Sequence, residues 1–180
     1  MILSVAMSFQ TDGTFEVRDA LGEELGLVSD LRAAAYAEYE PRMPPAAWRQ
    51  YSRSIANVWE RLAGSDLIVV RQGNRLAGAI TFYPDGRLGE GWPDGYSCIR
   101  LLAVPPEARN QGIARALMRE CLRRSQVSGR RYVGLHTTEF MATARAMYER
   151  MGFERVPQFD FQPAPSVLVM AYRLELRRPS

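Results

Sequence analysis

At 180 residues, 47% of them hydrophobic and 24% charged, the chain carries enough apolar material for one full core and is short for two. No apolar run approaches the roughly 20 residues of a membrane span, and the net charge of +3, from 23 basic residues that are all Arg against 20 acidic ones, is too interleaved for a nucleic-acid-binding stripe. A single histidine and two cysteines without CxxC spacing exclude a multi-histidine or zinc-type metal site.

The expectation is therefore a soluble, cytoplasmic protein with one domain over residues 1–180 and reduced thiols at Cys98 and Cys121. The start, "MILSVAMSFQTDG", has no basic opening or cleavage site, so residues 1–12 read as a loose tail rather than a secretory leader, with Met7 an alternative start. Phe15 to Arg18 reads as a short strand, and the segment to about Tyr39 as a helix with Leu21, Leu25, Val28 and Leu31 on one face. Pro41, Pro44 and Pro45 break it. A second helix from about Ala46 repeats Trp48, Tyr51, Ile55, Val58, Trp59 and Leu62 at steps of three and four until Gly64. "DLIVVR" and "RLAGAITFY" follow as two strands, and the "QGN" between them predicts a hairpin. Residues 84–97, rich in Gly and Pro, read as a surface loop.

"CIRLLAV" (Cys98 to Val104) reads as a buried strand closed by Pro105 and Pro106. A turn, "ARNQG", then leads into a helix reaching about Val127, closed by Ser128 and Gly129. "YVGLHT" is the next strand, and a helix from about Glu139 to Met151 stops at Gly152. Strand, helix, strand implies a right-handed parallel crossover. Two further strands are expected near Phe153 to Phe159 and Val167 to Leu176, separated by "QPAPS". The sum is a mixed sheet with helices on its faces, of α/β or α+β type.

The "ARNQG" turn sits where a helix begins after a parallel strand, and the first N–H groups of a helix have no partner inside it. The amides of Asn110, Gln111, Gly112, Ile113 and Ala114 are candidates to converge on a phosphate, with Arg109 and Arg115 adding charge. A plain corner eased by Gly112 accounts for the same residues equally well. A Walker loop needs Lys, which the chain lacks, and a dinucleotide fingerprint needs two more glycines in register.

"RLLAVPPEARNQGIARALMREC" followed by "LHTTEFMATARAMYERMGFERV" resembles the GNAT superfamily of acyl-CoA-dependent N-acyltransferases, over about residues 98–155. The resemblance implies a mixed, mostly antiparallel sheet whose two central parallel strands splay, with helices on both faces. It implies acetyl-CoA as co-substrate, its pantetheine arm between those strands and its pyrophosphate on the motif occupied by Arg109, Gly112 and Ala114. The backbone of Leu102, Ala103 and Val104 would contact the acyl carbonyl and pantetheine, from a β-bulge that turns an N–H outward. Tyr148 matches the family tyrosine that protonates the CoA thiolate.

The base is less evident, because the strand position where relatives carry Glu is Cys98 here. Glu90, Asp94 and His136 are the candidates. Met141 stands where relatives often have Asn. The 84–97 loop, with Asp85, Glu90 and Asp94 against Arg87, suggests attraction for a cationic amine, and Trp92, Tyr96, Phe159 and Phe161 an aromatic wall. The expected activity is acetyl transfer to a primary amine of a small molecule by direct attack in a ternary complex. The alternative is a non-catalytic acyl-CoA-binding or regulatory module. Neither a metal, nor nucleic acid, nor a membrane is an expected partner, and a homodimer is left open.

Overall fold

Leu67, Ile68, Val69 and Val70 are all buried, and they face two different cores in alternation. A strand with both faces apolar must lie between two layers of helices, because successive side chains leave opposite faces of the pleat. The computed structural model describes residues 9–11 and 15–176, with the side chains of 9–11 and of Glu90 outside that description. In chain order the elements are β1 (Phe9–Thr11), β2 (Phe15–Asp19), α1 (Leu25–Tyr36), α2 (Pro45–Ala56), β3 (Asp66–Gln72), β4 (Arg75–Tyr83) and α3 (Gly86–Glu90). They continue with β5 (Tyr96–Ala103), α4 (Ile113–Val127), β6 (Tyr132–Thr138), α5 (Ala142–Arg150), β7 (Glu154–Arg155), β8 (Phe161–Ala164) and β9 (Val167–Glu175).

The strands form one mixed sheet in the order β1-β2-β3-β4-β5-β6-β9-β7, with β8 also on β9. Every pairing is antiparallel except β5 with β6. Val28, Leu31, Ile55 and Val58 of the α1–α2 layer pack on Leu67, Val69 and Ala79. On the opposite face Ile113, Leu117 and Met118 of α4 pack on Ile68, Val70 and Ile80. The mixed sheet with helices on both faces agrees with the expected fold. No helix among the described residues is long and apolar enough to cross a membrane.

The parallel pair positions the site. β5 and β6 are in register only from Tyr96 with Tyr132 to Ile99 with Leu135. Beyond that point β5 stays with β4 and β6 stays with β9, so the two strands part and a wedge opens between them.

Several local expectations change. The first helix ends at Tyr36, and the chain runs on as a 3-10 segment to Arg42, where Pro41 lacks the N–H that an α-helix would use. The second ends at Ala56, because Asn57 leaves the helical region (φ −78°, ψ 85°). Trp59 is consequently exposed rather than on a buried stripe. The segment 84–97 is not only a surface loop: the Asp85 carboxylate accepts from the Arg87 N–H at 3.1 Å and starts α3. The same segment buries Trp92 and Tyr96. The Trp92 ring lies on Gly134 of β6, where any Cβ would collide with it. The strand expected over 153–159 shrinks to β7 because Pro157 starts a 3-10 turn. Part of "QPAPS" becomes β8, an edge strand that tolerates Pro163. Of the tail read at 1–12, Phe9–Thr11 is β1, and the rest lies outside the described residues.

Candidate active site

The wedge is shaped by a bulge in β5. Ala103 pairs with Ala79 and Arg100 with Thr81, so Leu101 and Leu102 both stand against the single residue Ile80. Leu101 takes up the extra length at φ +52°. The bulge thus falls one residue before the stretch named from the sequence. The Tyr36 hydroxyl donates to the Leu102 carbonyl oxygen at 3.0 Å and pins the bulge to α1. Leu102 and Val104 line the cavity below, whereas Ala103 does not, since the ladder to β4 holds it.

At the end of β5 the chain turns into α4 through two left-handed residues, Asn110 (φ +61°) and Gly112 (φ +79°). A Cβ on Gly112 would meet no atom within 4 Å, so its backbone borders open space. Glycine is needed there for its conformation, not for room. The first bond at the helix start runs from the Ala116 N–H to the Gly112 carbonyl at 3.0 Å. The N–H groups of Ile113, Ala114 and Arg115 therefore have no acceptor in the helix. With the left-handed residues before them they form a nest of donors at the positive end of the helix dipole.

Asn110, Gly112, Ile113, Ala114 and Arg115 all line the cavity. Gln111 does not; its side chain accepts from Gln72 at 2.9 Å and donates to the Glu107 carbonyl at 3.3 Å, tying the turn to the β3–β4 hairpin. Arg109 lines the cavity too, and its side chain already has protein partners. Its Nε donates to the Val104 carbonyl at 3.1 Å, and Nη2 to the Ala35 carbonyl at 3.3 Å. Nη1 donates to Glu38 at 3.2 Å, and the pair holds the Glu38 carboxyl below its usual range. Arg109 is thus a brace between α1 and the turn, with its charge answered by Glu38.

The cavity between the splayed strands has a volume of about 650 Å³. Tyr148 of α5 lines it and is buried, and its hydroxyl makes no hydrogen bond to any described residue. Burial pushes its phenol well above the ordinary value, so it stays protonated. His136, at the open end of β6, lines the same space. Its Nε2 is 3.0 Å from the Phe159 carbonyl oxygen, which can only accept, so in the neutral ring Nδ1 carries the lone pair.

The other acid–base candidates are elsewhere. Asp94 is exposed, pairs with Arg87 at 3.1 Å and does not line the cavity. The side chain of Glu90 lies outside the described residues. Of the expected aromatic wall only Phe161 faces the cavity. Trp92, Tyr96 and Phe159 instead stack in a separate buried cluster, with Trp92 centred 5.1 Å from each of the other two.

Residues 28–153 match the family model described as acetyltransferase (GNAT) family. The chain belongs to this family. It is an acyltransferase. Solved GNAT-fold structures resemble it along nearly their whole length. An acetyltransferase of Staphylococcus aureus is 14% identical with a TM-score of 0.70, over 91% of this chain and 99% of that one. The PaiA N-acetyltransferase of Thermoplasma acidophilum, in complex with coenzyme A, is 13% identical with a TM-score of 0.69, over 88% and 98%. An acetyltransferase of Streptococcus agalactiae is 14% identical with a TM-score of 0.64, over 91% and 99%. At these identities the likeness is one of fold. The comparison with curated proteins finds no match.

Within this acyltransferase the sequence reading missed several cavity residues. Thr137 and Thr138 line the splayed half of β6, and neither buried hydroxyl has a hydrogen-bond partner among the described residues. Tyr36, Tyr51, Ser54, Arg61 and Arg100 form the part of the lining nearest α1 and α2. Nothing local marks these residues, since each reaches the cavity only through the way its helix or strand crosses the sheet.

Proposed function

We propose that this acyltransferase moves the acetyl group of acetyl-CoA to a primary amine of a small molecule, by direct attack with both substrates bound. The observation that carries the reading is the continuous wedge between β5 and β6, which runs from the donor nest at Gly112–Arg115 past the Leu101–Leu102 bulge to Tyr148. The nest supplies unpaired amides and the Arg115 cation, a fit for a diphosphate. The orphaned Thr137 and Thr138 hydroxyls are suited to polar atoms of a pantetheine-like arm.

Holding both reactants in one cavity makes the attack effectively unimolecular. The amine lone pair adds to the thioester carbon, and an outward N–H of the bulge stabilises the oxyanion. When the C–S bond breaks, the leaving thiolate takes the Tyr148 proton, and the new amide nitrogen loses its own to a base. An alkyl amine is neutral only about once in 2,500 molecules at pH 7, so a base must also take the ammonium proton before the lone pair can attack. His136, directly or through water, is the candidate base that lines the cavity. A cavity of this size suits a small acceptor.

The test is thiol release from acetyl-CoA across a panel of amines, read beside acetyl-CoA binding. Amine-dependent release supports the reading. Binding with no release from any amine overturns it in favour of a non-catalytic acyl-CoA module.

A further inference from the structure

The bulge that borders the wedge is held from the end of α1. Leu101 and Leu102 both line the cavity and have no residue-for-residue partner in β4, and Leu101 is bent into the left-handed region at φ +52°. A residue with a Cβ is strained there, and such a backbone keeps one shape only where its surroundings over-determine it. Two ties do so here. The Tyr36 hydroxyl donates to the Leu102 carbonyl oxygen at 3.0 Å. Arg109 Nε donates to the Val104 carbonyl at 3.1 Å while its Nη2 reaches the Ala35 carbonyl at 3.3 Å. Ala35 and Tyr36 are the last two residues of α1, and between the two ties Ala103 is fixed by its pairing with Ala79.

Tyr36 is built as a rigid tie. It is buried, and its ring stands edge-on to Tyr39 at 5.9 Å and to Tyr51 at 6.1 Å, which leaves the side chain little freedom to swing. Burial pushes its phenol well above the ordinary value, and the Arg32 cation one turn earlier offsets this only in part. The hydroxyl therefore stays protonated and serves as a donor rather than as a base. Peptide units are planar and joined through two soft angles per residue, so a hydroxyl that fixes the Leu102 carbonyl also limits where the neighbouring N–H groups point.

We infer that Tyr36 is a positioning residue for acetyl transfer: its hydroxyl holds the β5 bulge so that a backbone N–H faces the thioester carbonyl oxygen. The inference rests on the acetyl-transfer reading above. Tyr36 acts through the backbone of Leu101 and Leu102 rather than on the reacting atoms. An oxyanion donor made of main chain cannot be altered by changing its own side chain, so its aim is set by the side chain that grips the adjoining carbonyl.

The experiment reads the thioester carbonyl directly, by infrared difference spectroscopy of isotope-labelled acetyl-CoA bound to the wild-type and Tyr36→Phe proteins. Phe keeps the ring and its edge contacts and removes the O–H alone. In the wild-type protein the carbonyl band should lie below its position in an apolar solvent, as that of a hydrogen-bonded carbonyl does. In Tyr36→Phe it should rise toward that position and broaden. CoA affinity should hold, because the nest is untouched, and kcat with the best amine of the panel should fall about 10- to 100-fold with little change in KM for acetyl-CoA. A wild-type band already at the apolar-solvent position overturns the inference without any variant. The same band in both proteins overturns it too, whatever happens to kcat, and leaves acetyl transfer standing. A Phe protein that does not fold makes the hydroxyl a determinant of the fold and likewise overturns the positioning role. If acetyl-CoA does not bind, the acetyl-transfer reading falls with it.

Discussion

Replacing Gly112 by Asp and, separately, by Asn isolates the electrostatic part of the nest. Residue 112 must sit at φ +79°, a conformation that costs most L-residues roughly 1–2 kcal/mol and that Asn and Asp tolerate best. A Cβ meets nothing within 4 Å, so neither side chain is excluded by packing. The two variants share shape and backbone cost, and they differ by one charge. A carboxylate about 6 Å from one phosphate charge is repelled by about 3 kcal/mol at an effective dielectric of 20, and by less than ~1 kcal/mol in bulk water. Gly112 is at the exposed rim of the cavity, so the working value lies between these limits, at about 1–2 kcal/mol. That corresponds to a roughly 5- to 30-fold weaker Kd for the Asp protein than for the Asn protein. Titration calorimetry with CoA at low salt measures the ratio, and high salt should compress it. Equal affinities of the two variants at low salt would refute a diphosphate held by this turn.

Tyr148→Phe should lower kcat by about 100-fold and leave CoA affinity nearly unchanged, since only the proton donor is lost; an unaltered kcat removes the acid role. Because burial raises the phenol, the wild-type rate should show no loss from Tyr148 as pH climbs from about 7 to the ordinary phenol value of about 10. The Asp160 carboxylate accepts from Arg155 at 2.7 and 2.8 Å and from the Ala171 N–H at 2.8 Å, and the Arg155 guanidinium holds it below its usual range. A depressed carboxyl stabilises the fold above its unfolded pKa of about 3.9, and that contribution is lost as pH falls through the folded value. Asp160→Asn should thus lower Tm by about 3–6 °C at neutral pH, for a loss of about 1–2 kcal/mol, and flatten the acid limb of the stability curve. Equal acid slopes in the two proteins count against the pairing. Gly134→Ala places a methyl in the Trp92 ring, and overpacking of about 1–3 kcal/mol should lower Tm by about 3–10 °C; an unchanged Tm would mean that Trp92 does not sit there.

Much of this protein is legible from neighbours in the chain. The four apolar residues at 67–70 already imply a strand covered on both sides, and both a Gly112 turn and a crossover helix follow from spacing alone. What neighbours in the chain do not carry is the partner that each long polar side chain meets. Arg109 reads as an anion ligand until Glu38, far away in the chain, is seen to take it. Asp94 reads as a candidate base until Arg87 holds it outside the cavity. Trp92 and Tyr96 look like loop aromatics until Gly134 leaves a slot for the indole.

The amino-acid order by itself determined the longer helices and strands and the turn at the start of α4, because periodicity, proline and glycine act over a few residues. Only the tertiary structure decided which groups face the wedge. Where β5 and β6 cease to pair, the wall of the cavity is assembled from α1, α2, α4, α5 and the strands β5, β6, β8 and β9 at once. The charge at any point of that wall depends on which distant partners meet there.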